Sequence, residues 1–167
     1  MKFFRFPASK TGQGYAHFEK TVLNRVPIAR ILKTMSPNDV NAFPATRYKA
    51  LGVWALNLTS DARNLRIWEA IAAGDIATFY TDKRFTHYGP VIFKWRSETL
   101  QDTVGWVPPT RGRYSLAFAV DKLTQCDLGA VEYCALVGYA RCRCTQTSTT
   151  SKRVPSSCMR LTQTFAS

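Results

Sequence analysis

Residues 76–95 read IATFYTDKRFTHYGPVIFKW, and the organisation of the chain turns on them. Ile76 to Tyr80 and Tyr88 to Trp95 are runs of β-branched and aromatic residues, with a polar link containing Thr81, Asp82, Lys83 and Arg84 between them. Such side chains fit a pleated, half-buried surface, so the two runs predict successive strands of a meander. Towards the N-terminus, Asn64 to Ala73 sets Leu65, Trp68, Ile71 and Ala72 on one face of a short helix, which Thr59, Ser60 and Asp61 would cap and Gly74 would stop. Before that helix, Tyr48 to Leu58 (YKALGVWALNL) reads as an extended, partly buried strand. Towards the C-terminus, Ser97 to Val104 predicts a helical turn, residues 105–113 (GWVPPTRGR) an ordered loop, and Tyr114 to Val120 (YSLAFAV) another strand.

The flanks carry weaker patterns. Residues 1–20 show no clear period, 21–35 are apolar-periodic but interrupted by Pro27, and turns fall at Pro37 to Asp39 and Phe43-Pro44. Leu128 to Tyr139 predicts a helix, and residues 145–151 are almost entirely Ser and Thr, a linker composition. Short strands alternate with short helices, without a repeated strand–helix–strand unit of about 30 residues or a Gly-rich nucleotide loop. The expected fold class is therefore α+β, a curved, barrel-like sheet flanked by short helices, and not a doubly wound sheet. With 167 residues there is room for one core, placed over residues 1–144, with a polar Ser/Thr-rich linker and tail over 145–167.

The formal charge is +12, and it is unevenly spread: the excess is +7 over residues 1–50, +1 over 51–121 and +4 over 122–167. A surplus of Lys and Arg gains affinity for polyanions by releasing their counterions, so nucleic acid is the expected partner. A nearly neutral centre flanked by basic ends suggests a central pocket with phosphate contacts gathered at its mouth. No apolar run approaches the ~20 residues of a membrane-spanning helix, and the first residues make a poor signal peptide, so no membrane partner and a cytoplasmic location are expected. The five cysteines all lie beyond residue 125, which reads as reduced thiols and not as a disulfide framework. Cys142 and Cys144 lack the paired spacing of a zinc knuckle, so no metal is expected.

Three segments then match a family pattern in order. Gly52-Val53-Trp54 resembles the place where EVE and YTH domains of the PUA-like fold carry an aromatic wall of a base pocket. Trp68 to Tyr80 (WEAIAAGDIATFY), followed by a strand through Gly89 and Val91, is similar to the EVE succession of helix, Gly-Asp and aromatic strand. Gly105-Trp106, then Gly112-Arg113-Tyr114, looks like the YTH arrangement of a second cage tryptophan before a basic loop and strand. The resemblance is strongest over residues 48–121 and implies a PUA-like reader of the kind found at the front of McrB-type subunits of modification-dependent restriction systems. It departs from the YTH pattern in the loop Val107 to Arg111, where no further aromatic closes the cage.

What the resemblance implies is a non-catalytic module that flips a modified base, 6-methyladenine or a modified cytosine, into an aromatic cage. A flipped base offers two flat faces and a polar edge, so aromatics hold the faces and polar groups read the edge. Trp54 and Trp106 are expected to stack, facing each other across a concave site, with Asn57 and Ser60 near the edge. Lys83, Arg84, Arg111 and Arg113 are candidates for phosphate contacts. A core role is the competing reading of Trp54, whose neighbours are apolar; Trp68 and Trp95 are assigned to packing, and Asp75 to a turn. His17 and His87 lack any catalytic or metal-binding context, and the acids form no nuclease cluster, so no catalytic residue and no cofactor are expected. The expected partner is DNA in preference to RNA, with a separate motor or nuclease subunit, because the chain has no phosphate-binding GxxxxGK[ST] loop. General RNA binding without modified-base selectivity, and a small RNA-acting enzyme, are the alternatives.

Overall fold

A computed structural model describes residues 1–10, 12–60 and 62–138. In chain order its elements are β1 (Phe3–Pro7), α1 (Gln13–Phe18), a π-helical turn (Glu19–Leu23), β2 (Val26–Pro27) and α2 (Ile28–Leu32). Then follow α3 (Pro37–Ala42), a 3-10 turn (Ala45–Arg47), β3 (Ala50–Leu58), α4 (Arg63–Ala70), β4 (Ile76–Thr81) and β5 (Arg84–Arg96). The last are α5 (Leu100–Val104), β6 (Arg113–Val120), β7 (Thr124–Gly129) and α6 (Ala130–Leu136). Seven strands form one sheet in the order β1-β4-β5-β6-β3-β2, with β7 paired to β5. Every pairing is antiparallel except β1 with β4.

β5 bends the sheet. Its first half, from Arg84 to Tyr88, is held between β4 and β7, while Val91 to Arg96 pairs with β6. Register shifts at Phe79/Tyr80, Phe85/His87, Val91/Phe93 and Leu56/Asn57 add local twist. Gly89 stands where β5 changes partners; a Cβ there would lie 2.7 Å from the Asp121 carbonyl oxygen, so only glycine lets the two backbones pass. The result is the expected α+β class, a curved sheet that does not close into a barrel, with short helices around it.

The central strand β3 explains its own sequence. Leu51, Val53 and Ala55 face one core with Trp95, Leu100 and Ala117, whereas Trp54 faces a second core with Phe18, Phe79 and Phe118. Burial on both faces gives a continuous apolar run instead of strict alternation. A third, smaller cluster joins Phe85 and Leu128 to Tyr133 and Cys134 of α6.

Several boundaries differ from the sequence reading. The link between β4 and β5 shrinks to Asp82-Lys83, both at positive φ (49° and 65°), the tight turn that matches strand twist, so β5 already starts at Arg84. Helix α4 ends at Ala70, and Ile71 turns extended (ψ 135°) and is buried among the second-core aromatics. Residues 124–129 form a strand where a helix was expected from 128, because pairing to β5 satisfies their backbone; α6 is the shorter remainder. The N-terminal residues, which lack a clear period, are drawn in as β1 by β4 and by the Asp75 carboxylate, which accepts from the Lys2 and Ala72 amides. Cys126 donates from Sγ to Phe85 O at 3.4 Å, and Cys134 is disulfide-bonded, which corrects the reading of all five cysteines as reduced. No helix among the described residues is long and apolar enough to cross a membrane. The tail expected over 145–167 lies outside the described residues.

Candidate nucleic-acid interface

Trp106 is set by the end of α5. Gly105, at φ +67°, terminates the helix, its amide donating to Asp102 O at 3.1 Å while the Trp106 amide donates to Gln101 O at 2.9 Å. This paired closure needs a left-handed residue at its centre, which is why glycine precedes the tryptophan. The Lys20 ammonium donates to Gly105 O at 2.7 Å and ties the π-helical turn to the same point. Trp54, from the middle of β3, meets Trp106 directly: their ring centroids are 6.2 Å apart at 63°.

The two tryptophans are thus brought together as expected, but edge to face and in contact. The expected parallel walls across a base-wide gap are not how the rings stand. The reason is the company they keep. His17 stacks on Trp106 at 4.9 Å and 18°, and Tyr114 stands nearly perpendicular to both, 5.2 Å from His17 and 5.5 Å from Trp106. Phe18 and Phe79 also pack on Trp54, both edge to face. Two polar atoms in this cluster, His17 Nε2 and Trp106 Nε1, are buried with no hydrogen-bond partner.

Electrostatics follow from burial. Desolvation first, and the nearby Lys20 charge second, hold the His17 imidazole below its usual pKa, so the ring is neutral near pH 7. Burial likewise lowers His87 and raises the Tyr114 phenol. The cluster is therefore buried and neutral, with the Lys20 cation beside it.

The remaining sequence-derived residues have mixed placements. Asn57, half-buried at the β3 bulge, donates from Nδ2 to Arg111 O at 2.5 Å and accepts from Asn64 at its backbone oxygen. Its Oδ1 is covered by Gly112, where any Cβ would collide with Asn57 and the Leu58 carbonyl. Asn57 and Gly112 thus fasten the loop carrying Trp106 to the end of β3. Ser60 is exposed beyond that end. Arg111 is exposed on the loop, and Arg113 is ion-paired with Asp102 of α5. Lys83 is exposed at the β4–β5 turn, while Arg84 pairs with Asp127 of β7, which raises its pKa. Two of the four candidate cations are thus already engaged by carboxylates, and the four fall at two separate corners of the fold.

Sequence reasoning missed His17 and Tyr114 as members of the cluster. No local motif marks them; only the approach of α1 to the Trp106 loop joins them. The packing assignments of Trp68 and Trp95 hold, since their indole N–H groups donate to Ala117 O and Thr34 Oγ1.

No family profile matches the chain, and no curated protein matches it. Among solved structures, the chain is similar to the N-terminal domain of Thermococcus gammatolerans McrB bound to m5C DNA, with a TM-score of 0.56 and 13% identity over 83% of this chain and 84% of that one. At this identity the likeness establishes a shared fold. That fold is the one the PUA-like, McrB-type resemblance implied.

Proposed function

We propose that this chain is a binding module that reads a modified base in DNA, with Trp54 and Trp106 supplying the aromatic surfaces. The observation that supports it is the meeting of these two tryptophans, far apart in sequence, in one aromatic cluster within a fold shared with a domain solved on m5C DNA. A flipped base is held by stacking, and aromatic contacts of this kind contribute about 1–3 kcal/mol each. Asn57 holds the Trp106 loop in place, and Ser60, exposed beyond β3, reads the base edge. Lys83 and Arg111 contact phosphates, joined by Arg84 and Arg113 when DNA competes for their carboxylate partners; such contacts position the duplex without carrying base information. Modified cytosine and 6-methyladenine are the substrate classes, DNA is preferred over RNA, and any cleavage would come from a separate motor or nuclease subunit.

The test is a binding panel at fixed salt, with matched duplex and single-stranded DNA and RNA carrying 5-methylcytosine, 6-methyladenine or no modification. The native protein should favour one modified DNA, and Trp54→Ala should lose tenfold to a hundredfold on that ligand, the equivalent of about 1–3 kcal/mol. Arg111→Ala should weaken modified and plain ligands alike and reduce the salt dependence. A native affinity ratio near one, or a ratio unchanged in Trp54→Ala, would replace this reading with general RNA binding without modified-base selectivity.

A further inference from the structure

The aromatic cluster contains a ring that stacking by two tryptophans does not require. His17 is a flat nitrogen heterocycle lying on the Trp106 indole at 18°, with the Tyr114 ring set edgewise beside it at 89°. A nucleobase bound by an aromatic side chain presents the same kind of face to the same kind of partner. Trp106 is itself only 5% exposed, so its rings are covered in the free protein. A base cannot stack there until something leaves.

Among the rings around Trp106, His17 is the candidate to leave. Its Nε2 is buried and makes no hydrogen bond, and neither does Trp106 Nε1 beneath it. An unpaired buried polar atom keeps its full desolvation cost, which water would relieve if the imidazole swung out. Its backbone, by contrast, is pinned: the Thr21 hydroxyl lies 2.8 Å from both the His17 and Val53 carbonyl oxygens, which share its single proton. Directly after α1 the helix widens into the π-helical turn, closed by the Asn24 amide donating to Glu19 O at 3.1 Å, a feature common beside functional sites. Side-chain rotation on a fixed backbone is therefore the available motion.

We infer that the face of Trp106 covered by the His17 imidazole is the ring-binding position of this domain, and that a flipped nucleobase takes it by displacing His17. This rests on the modified-DNA reading above and adds to it that the free protein holds its own site closed. A site open for only a fraction of the time binds with an affinity reduced by that fraction.

The test compares the native protein with His17→Ala and His17→Asn, both checked by thermal melting, on duplexes carrying one 5-methylcytosine, one 6-methyladenine or no modification. Both variants should bind the preferred modified duplex on the order of tenfold more tightly than the native protein, with plain duplex unchanged. Free imidazole should reverse the gain in His17→Ala, by refilling the position, and leave the native protein unaffected. A native protein that discriminates, with variants that bind the modified duplex no more tightly or more weakly, overturns the inference and leaves the modified-base reading standing, since His17 is then a wall or a packing residue. Loss of folding in both variants overturns it in the same way. If neither native nor variant protein discriminates, both the reading and the inference fall.

Discussion

Trp95 and Trp106 are both buried, 1% and 5% exposed, and both pack in the core that Val53 and Leu100 share, yet their surroundings are completed differently. Around Trp95 every polar atom named has a partner: the indole N–H donates to Thr34 Oγ1 at 3.1 Å, and the Thr34 hydroxyl donates to Ile31 O at 2.7 Å. Around Trp106 the indole N–H and the facing His17 Nε2 are both left without one. Native interiors pair nearly all buried polar groups, so an unpaired set marks a place shaped by something other than stability. The contrast separates a tryptophan whose polar surroundings are complete from one whose surroundings are not, and the proposed base position rests on the second.

That comparison can be broken most directly by truncating each ring. Trp95→Ala should cost about 3–5 kcal/mol of stability, the usual range for emptying a large aromatic site, measured by denaturant unfolding. Trp106→Ala should cost less, because its neighbours His17 and Tyr114 can shift into the space, while its effect on modified-DNA affinity is the larger one. Equal stability losses for the two would erase the distinction. A finer probe removes only a hydrogen bond: Thr34→Val keeps the shape but strands the Trp95 indole N–H, and should destabilise by about 1–3 kcal/mol without changing binding.

The smallest expected effect is a pH dependence. Burial lowers the pKa of His17 and His87 in the folded state, so the unfolded chain binds more protons at mildly acidic pH. Their contribution to stability is complete above the ordinary histidine value of about 6.5 and is lost as pH falls from there towards the depressed folded values. The slope is at most about 1.4 kcal/mol per pH unit for each histidine. Unfolding followed between pH 7.5 and 5 should show it, and His17→Ala should flatten part of it. A stability that rises on acidification would mean that His17 gains a partner for its charged form.

Elements whose pattern is local could be read directly from the chain. The β-branched runs at 76–80 and 88–95, the alternation of 114–120 and the Gly/Pro loop of 105–113 announce themselves, because strand propensity and turn chemistry are properties of neighbouring residues. Motif context also put Trp54 and Trp106 forward. How those two rings meet, the tie of Asn57 to Arg111 on the Trp106 loop, and the pairing of Arg84 and Arg113 with Asp127 and Asp102 arise from contacts across the fold. Likewise residues 3–7 become β1 and residues 124–129 become β7 through pairing with distant strands, where ladder hydrogen bonds override weak local preference. His17 stands at the limit of sequence reading: its role depends on contacts with Trp106 and Tyr114, and a contact across the fold leaves no spacing in the chain to be read.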